Sequence, residues 1–201
     1  MLLKIKSYFK HYRLLGCISL FVNYIYTKIF FPKARLIRRP FDIRGYSYID
    51  ISNNLTTGHH CRIEAHNEEN RVVLFIGENC QLNDFVHIAA AEKIKIGNNV
   101  LIASRVFISD LNHGSYSGTL QSHPESICNE RALSTSPVTI EDNVWLGEGV
   151  VVLPGVSIGR CSIIGANAVV SRDIPPYSIA VGNPAKVIKQ YNNSTENWNR
   201  V

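Results

Sequence analysis

"IEDNVWLGEGVVVLPGVSIGRCSIIGANAVV", residues 140–170, returns an aliphatic side chain every six positions: Ile140, Leu146, Val152, Ile158, Ile164 and Val170. Four residues after each stands a small or β-branched one: Val144, Val150, Val156, Ser162, Ala168 and Ile174. A step of six fits neither an α-helix, with its period of 3.6, nor a plain alternating strand. It fits a short strand followed by a corner. Three such units close a triangular coil of about 18 residues, and stacked coils share one apolar interior. Asn and Gly at the corners ("IGENC" 76–80, "IGNNV" 96–100) tolerate the unusual backbone angles needed there.

The same step extends backward through Ile96, Ile102 and Ile108, through Ile76, Leu82 and Ile88, and through Ile51, Thr57 and Ile63. In that earliest pass Leu55 and Cys61 fill the second slot. Phase slips near 65–75 and 89–95 read as bulges or loops. Between 109 and 137 the rhythm stops, and His113 stands in the pause. The fold predicted is mainly β, a parallel β-helix of about five coils between Tyr48 and Pro175. An N-terminal helical segment (1–45) precedes the β-helical domain (46–191), and an extended loop (109–137) interrupts the coils. A short helix from Ala185 caps the stack, and 192–201 forms a frayed polar tail.

The 201 residues suit one core, and 45% hydrophobic with 18% charged describes a globular chain. The net charge of +5 conceals an asymmetry. Residues 1–44 carry ten Lys/Arg against one acid, Asp42, while the remainder carries eleven against fifteen. No aromatic-interleaved basic motif accompanies this charge, which argues against nucleic acid. Five irregularly spaced cysteines argue against a disulfide framework and for a reducing compartment. Residues 2–31 read as one or two amphipathic helices, too polar to span a membrane. They rest on a membrane surface through Lys4, Lys6, Lys10, Arg13 and Lys28, or pack on their own protein or an oligomer partner.

"NVWLGEGVVVLPGVSIG" (143–159) and "IIGANAVVSRDIPPYSIAVGNPAKVIK" (163–189) resemble the hexapeptide-repeat acyltransferases, in the branch of galactoside, maltose and polysaccharide O-acetyltransferases. "RRPFDIRG" (38–45) and "CRIEA" (61–65) are similar to the members that acetylate lipopolysaccharide O-antigen and capsule sugars. The likeness runs from Leu36 to Tyr191. It implies a left-handed β-helix, a homotrimer with acetyl-CoA in the groove between neighbours, and sites built from two chains. It implies cytoplasmic O-acetylation of a sugar hydroxyl on a surface polysaccharide or its precursor.

On the same resemblance, His113 matches the catalytic base. Relatives often carry a second histidine where Leu111 stands here, which leaves His113 as the one candidate in the motif. A neutral imidazole suits deprotonation of a hydroxyl near pH 7. Its other nitrogen needs a partner, such as a backbone carbonyl or Asp110, with Asn112 less suited. A backbone N–H near Gly147 and Glu148 would face the oxyanion. Trp145 matches the wall along the pantetheine arm, and Ala103, Gly147, Gly165 and Ala166 match small positions that let the arm approach. Ser171 and Arg172 match the adenine end, and Lys186 and Lys189 the phosphate contacts. Asn83 matches a donor to the acceptor hydroxyl, and Tyr116 is placed to stack on a sugar ring. Asp84 and His87 line that groove or face solvent, and His59, His60 and His66 read as surface or coil-stacking residues.

Three alternatives differ in class. A β-helical zinc carbonic anhydrase needs a histidine pair five apart, and positions 108, 118 and 128 hold Ile, Gly and Cys, so no metal is expected. A non-catalytic scaffold would not need the interrupting loop or the intact "NVWLG". Transfer to an amine, on an amino sugar or small metabolite, goes in relatives with added domains that residues 1–45 are too short to form.

Overall fold

The computed structural model describes residues 2–201 except Glu68, with side chains described from Tyr12 onward. Lys4, Lys6 and Lys10 therefore lie outside the described side chains.

Residues 41–181 wind as a parallel β-helix with three faces. Face one stacks Phe41–Arg44, Cys61–Ala65, His87–Ala90, Phe107–Ser109, Val151–Val152 and Val169–Val170. Face two stacks Ile49–Ile51, Leu74–Ile76, Ile94–Ile96, Val138–Ile140 and Ser157–Ile158, with a single bridge from Ile158 to Ile174. Face three stacks Thr56–Thr57, Gln81–Leu82, Leu101–Ile102, Trp145–Leu146, Ile163–Ile164 and Ser178–Val181. Between Tyr48 and Pro175 each face holds five strands, matching the five coils expected, and Phe41–Arg44, paired in register with Cys61–Ala65, adds a further strand below them on face one.

The hexad residues point inward. Ile63, Ile88, Ile108, Val152 and Val170 form one buried column, and Leu82, Ile102, Leu146 and Ile164 another. Such burial is the main stabilising term, at about 25 cal/mol per Å² of apolar surface. At the corner between faces two and three, Asn54, Asn79, Asn99 and Asn143 all adopt positive φ. The Asn54 amide donates to Asn79 Oδ1 at 3.1 Å, and Asn79 donates to Asn99 Oδ1 at 3.3 Å. Asn tolerates this conformation better than other chiral residues, and the ladder stitches successive corners together.

The N-terminal helix, α1 (Leu2–Phe30), is broken at Arg13, whose φ is 51°. Its second half lies against the segment that opens the first coil. Asn23 and Thr27 are buried there. The backbone N–H of Ile37 donates to Thr27 Oγ1 at 2.8 Å, and Arg39 Nε donates to Asn23 Oδ1 at 3.2 Å.

The C-terminus corrects the sequence reading. No helix begins at Ala185. Lys186–Asn192 is a strand antiparallel to Ser178–Val181, and Asn197–Arg200 pairs back on it. Residues 192–201 are therefore the second arm of a hairpin rather than a frayed tail. Tyr191 packs edge-on to Trp198 across it, with centroids 5.3 Å apart. Burial alternates along 186–192, so period two overrides the helix propensity of Ala and Lys.

Candidate active site

The interrupting loop leaves face one after Ser109. Leu111–His113 pairs antiparallel with Leu133–Thr135, so His113 sits on a two-stranded ribbon rather than on a loose loop. Its side chain is exposed, and neither ring nitrogen bonds another described residue. Its carbonyl accepts the Tyr116 hydroxyl hydrogen. Arg131 donates to that hydroxyl, to Ser126 Oγ and to the carbonyls of Pro124 and Ser126. Gly114, at φ +104°, has Ser122 Oγ and Tyr116 Oη within 3 Å of where a Cβ would sit. Only glycine fits between the ribbon and the loop.

Asp110 is not a neighbour of the His113 ring. It is fully buried, and its carboxylate accepts three backbone N–H groups, from Ala91, Glu92 and Lys93, at 2.7–2.9 Å. That takes up both oxygens, so Asp110 anchors the corner at 91–93 instead of touching an acceptor. Asn112 is exposed, and its side chain bonds no other described residue. Tyr116 spends its hydroxyl inside the loop but leaves its ring exposed.

A second cluster follows from register. Face three aligns Leu82, Ile102, Leu146 and Ile164, so the next residues, Asn83, Ala103, Gly147 and Gly165, stack on one edge of the prism. Each donates its N–H to the coil above: Asn83 to Ile102, Ala103 to Leu146, Gly147 to Ile164 and Gly165 to Ala180, all at 2.8–2.9 Å. Three of the four are small, so that edge carries little side chain. A Cβ on Gly147 would lie 2.7 Å from the Ala166 nitrogen and 2.9 Å from the Ile164 oxygen. The next coil alone therefore requires that glycine.

Because the Gly147 N–H is engaged, it cannot face an oxyanion. The following N–H, of Glu148, bonds no described residue. The Glu148 side chain turns to Arg105, with a 2.6 Å ion pair open to solvent. Asn83 Oδ1 accepts from Gln81 at 3.0 Å, which leaves the Asn83 amide hydrogens uncommitted.

Trp145 is 47% exposed on face three, flanked by Leu101 and Ile163. Ala166, Ser171 and Arg172 are exposed, Ala103 and Gly165 half-buried. The hairpin sets Lys186 opposite Val181 and Lys189 opposite Ile179, at the top of the same column. Neither lysine, nor Arg172, has an ion pair among the described residues.

Two features had no signal in the sequence reading. The first is Arg131, whose role depends on contacts across the loop. The second is Glu64, buried on face one between His87 Nε2 at 2.9 Å and Arg62 Nη2 at 2.7 Å. Burial works against its charge, but the hydrogen bonds from His87 and Arg62 prevail and hold the carboxyl below its usual range. Asp84 accepts the His59 backbone N–H at 2.6 Å, a structural use. All five cysteines are free, with Cys61 and Cys80 in the core, where burial pushes the Cys61 thiol up to about 11. Among the described residues, no group of His, Cys, Asp or Glu is arranged to hold a metal ion.

The family model "Bacterial transferase hexapeptide (six repeats)" matches residues 137–172. A putative lipopolysaccharide biosynthesis O-acetyl transferase, WbbJ of Escherichia coli K12, is 42% identical over 193 residues, spanning 96% of this chain and 97% of that protein. The chain belongs to the hexapeptide-repeat acyltransferases. Its fold is accordingly the left-handed parallel β-helix of that family. As a hexapeptide-repeat acyltransferase it is an enzyme. A galactoside acetyltransferase solved with coenzyme A superposes with a TM-score of 0.50 at 29% identity, covering 77% of this chain and 67% of that one. AntD, an N-acyltransferase from Bacillus cereus solved with an amino-sugar nucleotide and coenzyme A, gives 0.66 at 21% identity over 81% and 83% of the chains, a likeness of fold.

Proposed function

We propose that the chain transfers an acetyl group from acetyl-CoA to a sugar hydroxyl of a cell-surface polysaccharide or its precursor, with His113 as general base. The observation that carries this reading is the His113 imidazole, exposed and unpaired on an ordered ribbon. The full-length likeness to a lipopolysaccharide O-acetyl transferase supports the acceptor class.

The hydroxyl oxygen attacks the thioester carbonyl carbon while His113 takes its proton. The Glu148 N–H faces the oxygen that gains charge. The C–S bond then breaks, and the thiolate leaves and takes the proton back. No bond to the enzyme forms. Trp145 walls the pantetheine arm, Ala103, Gly165 and Ala166 leave it room, and Ser171, Arg172, Lys186 and Lys189 take the nucleotide and its phosphates. Asn83 holds the acceptor, with Asn112 and Tyr116 beside it.

The edge carrying Asn83, Ala103, Gly147 and Gly165 lies at the corner between faces three and one, while the His113 ribbon leaves the corner between faces one and two. In this reading a site combining both draws on two copies, and the working unit is a homotrimer. The donor's chemistry and the free thiols both suit the cytoplasm.

Calorimetric titration with acetyl-CoA tests the reading. Wild type should bind in the micromolar range, and Trp145→Ala should bind roughly tenfold more weakly. His113→Ala should bind like wild type yet lose about 10²- to 10⁴-fold in turnover on a glycan acceptor. A wild-type protein that binds no acyl-CoA would overturn the proposal.

A further inference from the structure

The second half of α1 is built inside out. Its polar residues Asn23 and Thr27 face the protein, while Leu14, Leu15, Ile18, Phe21, Ile25 and Ile29 face solvent. Leu15 is 81% exposed and Ile29 65%. These residues fall on one stripe at 3.6 periodicity, so the exposed face is continuous over four turns. An apolar patch of this extent needs a partner.

Charge indicates which partner. Lys28 borders the stripe on the helix, Arg13 stands at the break where the stripe begins, and Lys33, Arg35, Arg38 and Arg39 follow the helix directly. None of the six has a carboxylate partner among the described residues. Alongside the helix an open groove of about 690 Å³ runs past Leu20 and Phe21 to Arg35 and Arg38. Those two arginines each spend one donor on the first coil, at Thr56 Oγ1 and the Thr57 carbonyl, and keep the rest for an anion. A second copy of this segment would bring like charges together. An anionic bilayer complements both the stripe and its cations. Among the described residues, no helix is long and apolar enough to cross a membrane, so α1 would lie along the surface.

We propose that the outward face of α1 docks the protein on the surface of an anionic membrane, with the apolar stripe in the headgroup boundary and the flanking cations on lipid phosphates.

Flotation of the full chain with phosphatidylcholine vesicles, with and without about a quarter phosphatidylglycerol, tests this. The protein should float with the anionic vesicles, much less with neutral ones, and should release as salt rises toward about 1 M. Ile18→Glu with Ile25→Glu should lower partitioning roughly tenfold or more, with oligomer mass and acetyl-CoA affinity unchanged. Should that variant misfold, Ile18→Ser with Ile25→Ser is read the same way. A wild type that stays with the pellet, or a variant that floats equally well, overturns the proposal. So does a variant whose oligomer dissociates, which would assign the stripe to a contact between copies.

Discussion

Arg131 donates from Nη1 to the Tyr116 hydroxyl at 2.9 Å, and that hydroxyl in turn donates to the His113 carbonyl. One guanidinium thus fixes the backbone that carries the proposed base, from fifteen residues downstream of the tyrosine. Removing it should leave donor binding intact and misplace the imidazole. Arg131→Ala is expected to lower kcat by roughly tenfold to a hundredfold with an unchanged Kd for acetyl-CoA. Arg131→Lys should recover little, because an ammonium cannot reach four acceptors in a plane. Wild-type kcat in Arg131→Ala would show that the loop holds itself without this tie.

Glu64 makes stability depend on pH. Its folded carboxyl titrates below the ordinary 4.5, so the stabilisation is complete above that value and is lost as pH falls through the lower, folded one. Glu64→Gln should cost about 2 kcal/mol at pH 7, the worth of hydrogen bonds to a buried charge. The gap to wild type should close at acid pH, below 4.5. Urea melts at several pH values read this directly, and a gap that stays constant down to acid pH would remove Glu64 as its source.

Gly147→Ala tests coil stacking. The added methyl meets backbone nitrogen and oxygen of the next coil rather than a movable side chain. A loss of about 1–3 kcal/mol is expected, visible as a fall of several degrees in Tm. An unchanged Tm would mean that the coils separate there at little cost.

The coils were legible because each inward position repeats every six residues and depends on its own strand. Ile140 and Ile158 announce themselves locally. The pause at 109–137 was legible for the same reason. The hairpin at Lys186 was not, since "NPAKVIKQY" suits a helix as well as a strand and only pairing with Ser178–Val181 decides. Asp110 misled because it stands three residues from His113, while its partners lie 17 to 19 residues back in sequence. For α1 the amphipathic pattern was visible. Its outward orientation was not, because that depends on the bonds of Asn23 and Thr27 to Arg39 and Ile37.

The stacked edge also acts as a gauge of length. Four coil steps separate Asn83 from Val181, which faces Lys186. At the usual strand spacing that is about 19 Å. Removing one coil would shorten this distance by about 4.8 Å and leave every local contact type in place. In the proposed reading, the number of coils sets how far the phosphate anchor stands from the reacting carbon. Donor size is then measured by counting turns rather than by the shape of a pocket.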